Sequence, residues 1–242
     1  MPNLPTPFQY LFLAAAVIIP TSALAGFSLV LSNTTESEIG RLAFEVFWVG
    51  EESNVPTFIN FLLLIVSSGF IALAAAQAFS DRDPWRWHWL GLAVVVLLAA
   101  FDDAAQVHEP VGTYLTKGIE GSGLFAWEWV YYGFAVVAIL VLLGFRFVVY
   151  GMDAAPRRYL VLGALVYFGA ALGLEMVSAF MWFHEMDNGR YVTLLEETFE
   201  MFGAALFGAC GLRQLMPVPE VRKATHTSSQ PRFGTARETT RF

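Results

Sequence analysis

Apolar runs of about 20 residues, the length an α-helix needs to cross a hydrocarbon core, recur six times along the chain: 8–32, 55–79, 89–109, 125–150, 159–183 and 191–215. Inside a bilayer every backbone N–H and C=O must be satisfied within the protein, which leaves helices or a closed barrel. The runs lack the apolar/polar alternation of a membrane barrel and are too long for its strands. The expected fold is therefore all-α: one polytopic six-helix transmembrane domain over residues 1–216. Composition agrees, with 56% hydrophobic and 14% charged residues against about 25% charged in soluble domains. From Pro217 the chain turns rich in Pro, Ser, Thr and Arg, so 217–242 is expected to be a disordered, basic cytoplasmic tail.

Orientation follows from the bases, which favour cytoplasmic loops. Arg82, Arg86, Arg146, Arg157, Arg158, Arg213, Arg222, Lys223, Arg232, Arg237 and Arg241 fall on one side of a six-span arrangement, which is eleven of the fourteen Lys and Arg. Only Arg41, Lys117 and Arg190 fall on the other. Both termini are thus expected in the cytoplasm, and the expected location is the plasma membrane of a bacterium, its inner membrane. Ala23-Leu24-Ala25 before Gly26 fits a signal-peptide cleavage pattern, but no Lys or Arg precedes the first apolar run, so an uncleaved first span is expected. Between the first two spans, glutamates at 36, 38, 45, 51 and 52 alternate with Leu42, Phe44, Phe47 and Trp48. That mixture suits an amphipathic helix on the outer surface or a solvated acidic loop. A glycosylation triplet, Asn33-Thr34-Thr35, is too short to carry weight.

Several chemistries are excluded or demoted. The net charge of −7 describes no one surface, because acids and bases lie in different parts of the sequence, and no nucleic-acid footprint is visible. A single cysteine, Cys210, forms neither an internal disulfide nor a cysteine zinc site. Retinal held as a Schiff base needs a lysine within a span, and the two lysines, Lys117 and Lys223, lie in loops.

What stands out is acid at membrane depth, where a charge costs at least about 2.5 kcal/mol and marks function by default. Asp102, Asp103 and Glu109 lie on the third run, Glu128 on the fourth, Glu175 on the fifth, and Glu196, Glu197 and Glu200 on the sixth. At about 1.5 Å per residue, Asp103, Glu175 and Glu200 form one layer roughly 10 to 14 Å below the outer surface. Helical spacing puts Asp102, Gln106 and Glu109 on one stripe and Glu196, Glu200 and Gly203 on another. His108 and His184 stand at the outer ends of their spans, where they could close the mouth of the cluster. No Lys or Arg shares the layer, and carboxylates crowded in low dielectric cannot all stay ionised. Protons or a cation must neutralise them.

The leading expectation is a divalent metal, iron, manganese or zinc, held by ligands drawn from Asp102, Asp103, His108, Glu109, Glu175, His184, Glu196, Glu197 and Glu200, since oxygen donors with imidazole suit those ions. The acids on four helices, with His108-Glu109 and Glu197-Thr198-Phe199-Glu200, give the chain a loose resemblance to di-iron carboxylate bundles; the Glu-x-x-His motifs of that family are missing. A membrane metalloenzyme acting on an apolar substrate would follow. A proton or cation transporter using the same carboxylates is the alternative, with Asn60, Ser67 and Ser68 the only polar continuation inward. Structural acids bonded between helices, a haem on His108 and His184, and an accessory subunit of a larger membrane complex also remain open. Expected partners are the lipid bilayer and other membrane proteins or a second copy.

Overall fold

The computed structural model describes residues 4–34, 37–50 and 54–216, and among them it contains helices and no strand. The tail from 217 lies outside the described residues, as do Thr35 of the glycosylation triplet and Glu36, Glu51 and Glu52 of the acidic segment. The α-helices are α1 (Pro7–Thr34), α2 (Glu38–Phe47), α3 (Val55–Ser80), α4 (Arg86–Ala105), α5 (His108–Leu115), α6 (Trp129–Arg146), α7 (Ala154–Phe168), α8 (Glu175–Phe183) and α9 (Gly189–Leu215). Five helical stretches are long and apolar enough to cross a membrane: α1, α3, α4, α6 with the π-helical turn after it, and α7 continued through a π-helical turn, Gly169–Leu174, into α8. The protein is thus a multi-pass helical membrane protein.

α9 is less apolar than these five because its N-terminal half carries Glu196, Glu197 and Glu200, yet it is the axis of the fold. It packs against α1, α3, α7 and α8, and from Met201 to Leu212 nearly every residue is buried. Small residues make that possible. A Cβ added at Gly203 would lie 2.7 Å from the backbone N and the Cβ of Tyr167 on α7, and one at Gly211 would lie 2.7 Å from Ile71 N on α3. Without a hydrophobic drive between helices in lipid, such close backbone approach and interhelical hydrogen bonds supply the association. Ser67 Oγ donates to Ala204 O at 2.7 Å and pairs with Tyr10 Oη at 3.1 Å, joining α3, α9 and α1, while Ser68 Oγ donates to Ala93 O on α4 at 2.9 Å. Near the other end Thr198 Oγ1 donates to Ser22 Oγ on α1 at 2.8 Å.

α2 takes the amphipathic form expected of its segment. Ser37 caps it, accepting from Gly40 N at 3.0 Å; Ile39 and Leu42 are exposed, and Phe44 stacks on Trp48 beneath the Arg190 guanidinium.

The expected continuous helix over 89–109 does not form. α4 stops at Ala105, Gln106 adopts a left-handed conformation (φ 46°), and the chain restarts as α5. Asp102, Gln106 and Glu109 therefore do not make one helical stripe. At the opposite end the helices gather Arg82, Arg86, Arg146, Arg157, Arg158 and Arg213: Trp85 packs on Phe147 with ring centroids 6.1 Å apart, tying the start of α4 to the end of α6.

Candidate functional site

The break at Gln106 builds the first part of the site. Because the chain turns there, His108 folds back over the last turn of α4. Its backbone N–H donates to Asp102 Oδ1 at 2.8 Å, and its Nδ1 lies 3.0 Å from Asp102 Oδ2. A carboxylate on Nδ1 fixes ring orientation and leaves Nε2 as the available nitrogen, the arrangement common to metal-ligating histidines. Burial disfavours the charged ring, but the Asp102 hydrogen bond and the negative charges of Asp102, Glu109 and Glu175 outweigh it, so the His108 pKa lies above its ordinary value.

Contacts continue from His108 across two further elements. Its ring leans on Trp129 at 4.6 Å. Trp129 Nε1 donates to Glu175 Oε1 at 3.0 Å. Glu175 and Glu196 of α9 line the same cavity. Gly112 lets α5 lie against α6, since a Cβ there would come within 2.7 Å of Trp129 Cα. Glu175 is the first α-helical residue after the π-helical turn of the fifth span; such turns re-aim side chains and are frequent at functional sites.

A second strand of contacts comes from α3. Asn60 Nδ2 donates to Asp103 Oδ1 at 2.8 Å. Asp103 Oδ2 and Glu196 Oε2 are buried without a protein hydrogen-bond partner. Glu196 and Glu200 are only 6% and 9% exposed; in apolar surroundings an unpaired carboxyl oxygen costs about 1–3 kcal/mol or more.

Apart from Asn60 and Gly112, these groups line one cavity of about 980 Å³. Its wall holds Asp102, Asp103, His108, Glu109, Glu128, Glu175, Glu196, Glu197 and Glu200, and no Lys or Arg. Of the residues singled out from the sequence, His184 alone is not among them: it is exposed and packs on Phe180 and Phe183. Among the described residues no three His, Cys, Asp or Glu side chains stand close enough to hold a metal ion as they are placed. Sequence reasoning did not single out Trp129 or Tyr167 as site residues, although both line the cavity; an aromatic at a membrane interface gives no signal that separates a belt residue from a hydrogen-bond donor.

The inward continuation expected of a relay is largely committed elsewhere. Ser67 and Ser68 spend their hydroxyls on helix carbonyls, and Asn60 alone reaches the acids.

Fold and cavity together define a multi-pass helical membrane protein with an acid-lined chamber between its helices. The family described as a domain of unknown function (DUF8692) matches residues 10–214, and the chain belongs to it. No curated protein and no solved structure matches it.

Proposed function

We propose that the chamber binds a divalent cation, in a six-span protein whose basic end and both termini face the cytoplasm and whose chamber lies in the outer half of the membrane. The observation that supports this is the lining itself: eight carboxyls and one imidazole around one cavity with no base among them, two of the carboxyl oxygens being buried and unpartnered. Asp103, Glu197 and Glu200, which line the cavity from α4 and α9, are the ligands we assign, with His108 Nε2 completing the set. The donors would have to draw together about the ion, which a chamber of this volume permits. Once bound, such an ion would act as a Lewis acid or activate water beside an apolar substrate; Asp102 would orient the histidine and Asn60 would hold one oxygen of Asp103.

The test is elemental analysis of protein purified in mild detergent, with thermal melts in added Mn²⁺ or Zn²⁺ and in chelator. Metal should co-purify stoichiometrically, raise the melting temperature in proportion to the logarithm of its concentration, and bind more weakly as protons compete at lower pH. Glu200→Gln keeps size and removes a negative donor, so it should abolish the metal-dependent rise. Absence of stoichiometric metal, with melts indifferent to ion and chelator, would overturn the reading; pH-driven ion flux in liposomes blocked by Glu200→Gln would then establish a proton relay instead.

A further inference from the structure

The chamber is larger than an ion needs, and most of the surplus is apolar. From the acids it extends inward along α4 and α6, where Val95, Leu98 and Ala99 of α4 and Val136, Val137 and Leu140 of α6 line it. From Trp129 to Leu140 this cleft runs about 16 Å along α6 at 1.5 Å per residue, roughly half the thickness of a hydrocarbon core. It is open sideways. Leu98 lines the chamber yet is 61% exposed, and α6 stands away from the bundle, with only Val130 and Gly133 buried along it. At that depth the neighbouring medium is acyl chain, so whatever fills the cleft enters laterally from the bilayer. At the inner end of the chamber an occupant meets hydrocarbon-like walls, and at the outer end it meets carboxyls. Glu196 Oε2, buried there without a partner and not among the ligands assigned to the cation, calls for a hydrogen-bond donor. A phosphate or carboxylate head would bring only acceptors and a like charge to a wall that has no base to receive it.

We propose that the chamber takes a single-chain amphiphile with a hydrogen-bond-donating, non-anionic head, a long-chain alcohol or amine, with its chain in the α4–α6 cleft and its head among the acids. The proposal rests on reading the chamber as a ligand site and names the substrate class; it does not depend on the identity of the bound cation. Pockets of about 300–1,000 Å³, mainly apolar with a few placed polar groups, are the usual size and character for such ligands.

The experiment uses the full chain in nanodiscs with a diazirine-bearing hexadecylamine as photoprobe and mass-spectrometric mapping of the adducts. Adducts should concentrate on Val95 to Ala99 and Val136 to Leu140. Hexadecylamine or hexadecanol should compete; palmitate, with the same length of chain, should not, and butylamine should fail for want of a chain. Competition by hexadecanol alone, or by the amine alone, supports the site and identifies the head. Leu98→Trp should cut labelling at least tenfold while leaving Mn²⁺ binding in place, with Val137→Phe as a second, milder block and Leu142→Trp, on the lipid-facing side of α6, as the variant without effect. Labelling spread evenly over lipid-facing helices, equal competition by palmitate, indifference to both blocks, or adducts to a second copy of the chain would each overturn the proposal. Loss of Mn²⁺ binding with labelling intact would overturn the cation reading alone.

Discussion

Asp102 and His108 make the one carboxylate–imidazole pair within ion-pair distance among the described residues, at 3.0 Å, and the pair has a measurable signature. His108 is held above its ordinary pKa by the Asp102 hydrogen bond and the carboxylates of Asp102, Glu109 and Glu175, against the opposing effect of burial. A raised folded-state pKa means that this contribution to stability is complete below the unfolded value of about 6.5 and is lost as pH rises through the higher folded value. Asp102→Asn removes the charge and keeps the side-chain shape. It should lower the His108 pKa, read by NMR of selectively labelled histidine, and flatten the decline of melting temperature between neutral and mildly alkaline pH relative to the unsubstituted protein. An unchanged His108 titration would show that the pair does not control the ring.

Among the helices, α9 carries both the site and the packing, and these divide along its length. Its N-terminal half presents Glu196, Glu197 and Glu200 to the chamber; its C-terminal half is rich in small residues against which α3 and α7 close. Gly203 stands at the junction, its missing side chain occupied by the backbone of Tyr167. Gly203→Val should cost about 1–3 kcal/mol by overpacking and shift α7 away from α9, lowering the melting temperature and disturbing the chamber together. A Cβ added at Gly69 on α3 would meet nothing within 4 Å, so Gly69→Ala should leave the melting temperature unchanged or raise it, as Ala exceeds Gly in helix propensity by up to about 1 kcal/mol. Equal effects of the two substitutions in parallel melts would remove the case for close α9–α7 packing.

Across the whole molecule, charge is sorted by end. Arginines, with Asp81, Asp83 and Asp153 among them, collect where α4, α6, α7 and α9 meet the short connections at one end, whereas the chamber acids and the α2 and α5 segments occupy the other. Cysteine labelling tests the orientation that follows from this sorting. In a Cys210→Ala background, Ser122→Cys should react with a membrane-impermeant maleimide applied from outside, and Asp81→Cys should react only after permeabilisation. Both residues are exposed at opposite ends of the bundle, so the reverse pattern would invert the topology.

Much of this protein is legible from its apolar periodicity alone, because lipid permits so few backbone solutions. The five apolar spans lie within a few residues of the runs read from the sequence, whereas the layer expected for Asp103, Glu175 and Glu200 rests on a third helix running to Glu109, and α4 stops at Ala105. The sixth run, 191–215, forms a helix as well, but its role as the axis does not follow from hydropathy. That role depends on which neighbours enclose Gly203 and Gly211, and glycines on a helix do not name their partners. The turn at Gln106 is likewise invisible in a run that reads as unbroken helix; nothing in Ala105-Gln106-Val107 demands a left-handed residue until α5 has a surface on α6 to dock against. From that turn come the Asp102–His108 pair and the inclusion of His108 in the chamber, while His184, alike in its sequence setting, is left outside. Local rules set where acids lie along each helix, but their convergence on one cavity depends on helix rotation and packing, which long-range contacts control.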